Sequence, residues 1–389
     1  MKQILIAVAT VIPALHAAPI EPKFRPVNVD TNIAIGYGVT VADVDGDKKP
    51  DIVLCDAKQI VWYSNPGWEK HVIAENLTKL DHVCIAAQDI DGDGKAEIAV
   101  GAGWNPGDTV NSGALFFLQA PADRTQRWEP IALPHEPTMH RIRWTKDAKK
   151  GWALVSVPLH GRGNKDAKGD GVRIQRYFPS KDLKSPWTVE TISDRLHKTH
   201  NFDPRPGSDG AVEKILVGAA EGAFLLDSSA GNGAFQATQI GSDENGGVGE
   251  IRALGDAGGG IAAISPMHGN QLVVFRPPAP GGGGSLYQRT VIDENLADGH
   301  ALACGDLLGL GTPQIVAGWR AMGRPRSVRV GVAVYIPAGE RWIKVLVDDD
   351  QMACEDLCLA DLDGDGRLDI VASGRATKNV KVYFNESAK

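Results

Sequence analysis

An acidic turn returns three times in this chain, each time between two short apolar runs. Asp43, Asp45, Asp47 and Asp51 stand at positions 1, 3, 5 and 9 of a loop that separates Val39–Val41 from Ile52–Leu54. Asp89, Asp91, Asp93 and Glu97 repeat that spacing, and so do Asp361, Asp363, Asp365 and Asp369. A decayed copy begins at Asp306, with Leu308, Leu310 and Gln314 where acids would stand. Each copy reads as strand, acidic turn, β-branched strand. Such a unit cannot bury its own apolar face, so the chain must stack many of them.

The segment after each turn also repeats. A third run ends in aromatics (Trp62 and Tyr63, Phe116 and Phe117, Tyr335, Tyr383), and a fourth opens on Trp68, Trp128 or Trp342. Three further units keep this rhythm without the acids, over residues 140–192, 200–240 and 250–292, and Trp187 opens the fourth run of the first of them. Seven units of four strands, at a period of about 45–60 residues, predict an all-β seven-bladed propeller. The last unit stops at Phe384 after three strands, so the segment from Phe24 to Val29 is expected to complete it and close the ring. A solenoid or a pair of sandwiches accounts for neither the strand count nor this complementarity.

The propeller is expected to occupy residues 19–389 as one domain. Residues 1–18 read as a secretory signal, with Lys2 before the apolar run Ile4 to Leu15 and small residues at Ala17 and Ala18. A buried N-terminal strand is the alternative. The protein is thus expected to be exported, periplasmic or secreted, with no membrane insertion, since the run is too short to span a bilayer. A net charge of −7 without basic runs argues against nucleic acid as a partner. Cys55, Cys84, Cys304, Cys354 and Cys358 have no framework spacing and read as buried small apolar residues, with a partner for Cys354 left open. Oligomeric state is not readable.

Several carboxylates converging on one point, with glycine at position 4 or 6 to let the backbone wrap, suit Ca2+. The loops lack the bidentate Glu at position 12 of a helix–loop–helix site, and strands flank them. The turns resemble FG-GAP (VCBS) repeats, a resemblance that implies structural Ca2+ within the blades. Plain solvated Asp turns are the competing reading, and the sixth unit should be metal-free.

Function on a propeller is expected around the central channel. The residues at the starts of the innermost strands are Tyr37, His82, His140 with Arg141, His200 with Asn201, Glu250 with Arg252, His300, and Glu355 with Asp356. The second strands end on Asp56, Trp104, His160 and Arg162, Glu221, His268, Trp319 and Arg320, and Arg375. Any one of these histidines read alone is a satisfied structural residue, Trp104 and Trp319 read alone cover core, and the arginines read alone are rim ion pairs. As a set in phase with the repeat, they converge on one pocket. Aromatic faces beside polar groups suit a carbohydrate, for which Tyr37, Trp104, Asn201, His268, Trp319, Arg320 and Glu355 are the expected contacts. Several imidazoles also suit a further divalent ion (Zn2+, Mg2+, Mn2+ or Ca2+) and acid–base work near neutral pH. No nucleophile motif is present.

The stretches 81–89, 135–144, 158–164 and 196–202 resemble the propeller domain of aldos-2-ulose dehydratases and, more loosely, seven-bladed sugar lyases. That resemblance implies a carbon–oxygen lyase that eliminates at a keto-sugar or uronate-containing glycoside, often with a divalent metal. On this view a metal, or Arg141 and Arg162, neutralises the carboxylate or enolising ketone. One of His82, His140 or His200 takes the proton, and His160 or His300 returns one to the departing oxygen. A non-catalytic propeller binding glycans or proteins is the alternative, and metal-dependent hydrolysis a third.

Overall fold

The structure, a computed structural model, describes residues 21–388 apart from 208, 230–233, 256–258, 280–285 and 326. The expected signal segment lies outside the described residues, as does the glycine run 281–284. Among the described residues, twenty-eight strands form seven four-stranded antiparallel sheets. Six sheets are consecutive in sequence, over residues 38–75, 84–133, 139–193, 199–241, 251–293 and 299–349, here blades 1 to 6. Blade 7 takes three strands from residues 354–385 and its outermost from Phe24–Asp30. Among the described residues no helix is long and apolar enough to cross a membrane.

The expected closure is therefore observed. Val27 faces Val382 and Arg25 faces Phe384 across an antiparallel pair. The innermost strand of each blade touches that of the next around the whole ring, the first and last blades included. Alternation along each strand explains the packing. Seven apolar clusters form the core, one at each blade interface. Between blades 7 and 1, for example, Val371, Val380 and Val382 meet Ile52, Leu54 and Val61.

Polar latches recur at three of these interfaces. Asp30, at the end of one outermost strand, accepts hydrogen bonds from Tyr63 Oη (2.7 Å) and Lys70 Nζ (2.9 Å) of the next blade. Asp293 likewise accepts from Tyr335 Oη (2.5 Å) and Lys344 Nζ (2.7 Å). Asp348 accepts from Tyr383 Oη (2.7 Å) and Lys381 Nζ (3.0 Å). Each tyrosine belongs to a third strand, so the aromatic that ends the repeat also carries the hydroxyl that ties it to its neighbour.

All five cysteines are free, including Cys354, whose Sγ lies 3.6 Å from the Asp356 carbonyl.

Candidate functional site

The acidic turns are built locally. The residue at position 1 accepts backbone N–H groups of its own loop: Asp43 from Gly46 and Lys48, Asp89 from Gly92 and Gly94, Asp361 from Gly364, Asp365 and Gly366. Gly92 and Gly94 both have φ of 84°, a wrap that side chains disfavour. The residue at position 9 accepts the N–H at position 2, as Asp51 does from Val44, Glu97 from Ile90 and Asp369 from Leu362. In blade 6, Gln314 Oε1 instead accepts the N–H at position 3, that of Leu308, so a neutral group ties the turn without the charge.

Three carboxylates converge within 4.8 Å in each acidic turn: Asp43, Asp45 and Asp51; Asp89, Asp91 and Glu97; Asp361, Asp363 and Asp365. This differs in part from the expected set. Asp47 is drawn to Lys49 Nζ at 3.1 Å, and Asp93 accepts the Lys95 N–H. In blade 7 it is Asp369 that stands outside the trio, with both oxygens on backbone N–H groups of Leu362 and Asn385. The buried carboxylates are crowded by burial and by their acidic neighbours, although Arg124 Nη2 reaches Glu97 at 3.4 Å. Burial, opposed by backbone hydrogen bonds and reinforced by Asp45 and Asp43, pushes Asp51 up to about 7. Burial does the same to Glu97, to about 7, and to Asp369, to about 6. A bound cation would relieve this crowding, so the donor set fits Ca2+.

At the opposite ends of the innermost strands a second cluster forms, from different blades. His200 starts the first strand of blade 4, His300 that of blade 6, and His268 follows the second strand of blade 5. One ring nitrogen from each lies within 4.8 Å of the others. His268 Nε2 is 2.5 Å from His200 Nε2. His300 donates from Nδ1 to the Glu355 carbonyl at 2.6 Å, which leaves its Nε2 a bare lone pair. His140 donates from Nδ1 to the His200 carbonyl at 2.8 Å, and its ring stacks on Trp104 with centroids 5.1 Å apart. His268 has φ of 56°, a left-handed backbone, and non-glycine residues held so are a mark of functional sites. Its neighbour Gly269 is obligatory, because a Cβ there would sit 2.5 Å from Pro266 N.

Burial, helped by Arg141, His200 and His268, holds His140 well below the usual imidazole range. Burial and neighbouring cations do the same for His200 and His300. His268 is exposed at the mouth but is also held down, by its crowded surroundings and by Arg320. Burial thus favours the neutral form throughout the cluster, the form in which imidazole binds metal.

Arginines and carboxylates frame the imidazoles. Arg320 binds Glu355 through both carboxylate oxygens at 2.8 and 2.7 Å and Asp298 at 2.8 Å. It also points Nη2 at His268 Nδ1, 3.4 Å away. Arg375 reaches the same Glu355 at 2.9 Å and lies over the Tyr37 ring, whose hydroxyl donates to Asp81 at 3.1 Å. Glu250 stands behind His200, with Oε1 3.1 Å from Nδ1 though out of line for a hydrogen bond, and accepts from Asn201 Nδ2 at 2.6 Å.

Four expected site residues fall elsewhere. His82 is turned to backbone: Nδ1 faces the Asp56 carbonyl at 3.2 Å and Nε2 accepts the Leu77 N–H at 3.3 Å, so neither nitrogen is free for proton transfer. Arg162 is exposed and pairs with Glu136 at 3.3 Å. His160 is half-buried, outside the imidazole trio, with Nδ1 unpaired. Trp319 is buried in the interface between blades 5 and 6, its Nε1 donating to the Arg329 carbonyl at 2.9 Å, so of the two expected tryptophans it is Trp104 that presents a face at the imidazoles. The Asp298 and Asp81 partners escaped sequence reasoning. Both lie just before a first strand, a signal that repeats between these two units.

Comparisons with known proteins agree with this architecture. The FG-GAP-like repeat family matches residues 43–100 and the FG-GAP repeat family residues 85–118. No curated protein matches the sequence. Among solved structures, a chain of the mitotic checkpoint complex superposes with a TM-score of 0.60 at 11% identity, covering 98% of this chain and 99% of that one. BBS1N in complex with ARL6DN, from crystals soaked with mercury, gives 0.57 at 13% identity, covering 94% and 97%. The lead-soaked crystals give 0.56 at 11%, covering 93% and 96%. At such identities the likeness is one of fold. The chain is an all-β, seven-bladed propeller carrying FG-GAP repeats.

Proposed function

We propose that this protein is an exported, carbohydrate-active carbon–oxygen lyase that works by β-elimination at the imidazole cluster, with structural Ca2+ in its three acidic turns. The observation that carries the reading is the convergence of His200, His268 and His300 beside Trp104, His140 and Arg320 at one end of the channel. Trp104 offers a flat face to a sugar ring, and the arginines and carboxylates offer hydroxyl partners.

His200, His268 and His300 would hold a divalent cation, whose contribution is to polarise a ketone or carboxylate and acidify the adjacent C–H. His140 keeps its Nε2 lone pair because Nδ1 is committed to a carbonyl, and it is the base that takes the proton. Tyr37 keeps its proton at neutral pH, since burial pushes its hydroxyl up to about 12 against the pull of Arg375; it is the donor for the departing oxygen, turning to it from Asp81. Arg141, buried beneath His140, supplies positive charge. His82, His160 and Arg162 have no part in this scheme.

The test is ultraviolet absorbance at the enone and unsaturated-uronate bands, with keto-sugars and uronate glycans as substrates. A signal that chelator abolishes and that Ca2+ alone does not restore, together with its loss in His140→Ala, supports the reading. A flat trace from folded, metal-loaded protein refutes it.

One observation favours a second reading, a non-catalytic propeller that binds glycans or proteins. Arg320, His268 and His200 are spaced at 3.4 and 2.5 Å, a chain that can be held together by protons alone. A protein that binds a glycan in calorimetry, yet takes up no transition metal, would establish it.

A further inference from the structure

Beneath the imidazole layer the channel contains a cavity of about 400 Å3, walled by the first strands of six blades. Three of its four charged lining residues are arginines, Arg141, Arg143 and Arg252, and the fourth is Asp356. Their charges are poorly matched. Arg141 is 6% exposed and its Nη2 has no hydrogen-bond partner, while the nearest carboxylate oxygen, Glu250 Oε1, is 3.9 Å away and also unpaired. Arg143 is fixed by a neutral group, Asn201 Oδ1 at 2.9 Å, and spread over the Phe202 ring at 4.8 Å, so its charge is not balanced there. Arg252 leans on Glu250 at 3.5 Å. Burial, together with the charge of Arg252, brings Arg143 down to about 10, and burial raises Asp356. Three guanidinium groups therefore share Glu250, Asp356 and the more distant charge of Asp203. Trp144, also in the wall, has an indole N–H without a partner.

A buried, unpaired cation is among the most costly arrangements a protein can hold, and a bidentate oxyanion is what guanidinium groups match best. The volume is far more than one ion or water fills, about 30 Å3, and lies within the range of small-ligand sites, about 300–1,000 Å3. We propose that this lower chamber is an oxyanion site for the carboxylate of a small sugar acid, held by Arg141, Arg143 and Arg252. The chamber shares Arg141 with the elimination scheme but is lined by none of the histidines, and the proposal stands whether or not elimination occurs at them.

The test is calorimetric titration of the intact protein with glucuronate, glucose and inorganic phosphate. Glucuronate should bind saturably and at least tenfold more tightly than glucose, which lacks only the carboxylate. Arg143→Gln and Arg252→Gln should each weaken it by tenfold or more, Arg143→Lys should weaken it less, and Arg162→Gln, an exposed arginine paired with Glu136, should leave it unchanged. Equal affinity for glucose and glucuronate, no binding of either, or unchanged affinity in both glutamine variants overturns the proposal. Tighter binding of phosphate than of glucuronate overturns its assignment to a sugar acid. Should the glutamine variants fail to fold, Arg143→Lys decides the matter: an affinity for glucuronate equal to that of unmodified protein overturns the proposal.

Discussion

The two ends of the innermost strands carry two kinds of site, made in opposite ways. At one end, each acidic turn draws its carboxylates from a stretch as short as Asp43 to Asp51 and is tied by its own backbone N–H groups. At the other end, His200, His268 and His300 come from blades 4, 5 and 6 and meet only because the ring is assembled. The turns are a property of the repeat, whereas the imidazole cluster is a property of the closed ring. The first should survive damage that the second cannot.

The variant that would strain this contrast most is Asp348→Ala. It leaves Lys381 and the Tyr383 hydroxyl buried without their partner, at an interface next to the closing blade. Removing one member of a buried pair costs about 3–5 kcal/mol, read as a shift of the urea midpoint. Transition-metal uptake at the imidazoles should fall along with stability, while hydrogen exchange at 43–51 should still slow on adding Ca2+. Equal loss at both ends would erase the distinction.

A smaller effect is expected from Asp363→Asn, which removes one carboxylate from the blade 7 turn. Ca2+ at about 100 times its Kd stabilises a protein by about 2.7 kcal/mol, and the variant should lose most of the share due to that turn. Chelator-dependent melting would read this, with metal uptake at the imidazoles unchanged. Tyr335→Phe should cost less again, about 1.5 kcal/mol for one hydrogen bond to a charged group. It tests whether the latches act singly, because Lys344 still reaches Asp293.

The gentlest test is acid. Burial works to raise Asp30, but hydrogen bonds from Lys70, Tyr63 and the Asn32 N–H outweigh it and hold the carboxyl below its ordinary value. Asp293 is lowered in the same way by Lys344 and Tyr335. Groups with depressed folded values contribute stability that is complete above the unfolded carboxylate value, about 3.9, and is lost as pH falls through the lower folded value. Melting temperature should therefore decline below about pH 4, less steeply in Tyr335→Phe. A profile identical to that of the parent would remove the latches from the account.

The repeat was legible because strand alternation and turn chemistry are local. Val39, Asp43 and Ile52 announce a blade without reference to any other. Closure by residues 24–29 was legible too, since a unit short of one strand needs a donor. The candidate site was only half legible. Phase in the repeat brought His140, His200, His268 and His300 to one end of the channel, as expected. It could not say that the His82 ring turns to the Asp56 carbonyl or that Trp319 faces an interface. Position in a repeat sets which strand end a residue occupies, while χ angles are set by neighbours on other blades.

The sequence by itself determined the blade count, the closing strand, the acidic turns and the ring of polar strand ends. Each arises from spacing along one chain segment. Only the tertiary structure decided which of those polar ends meet: the imidazole trio, the Asp–Tyr–Lys latches and the three arginines below. These depend on curvature that brings residues more than sixty positions apart to hydrogen-bonding distance, as with His200 and His268, and no local pattern encodes that distance.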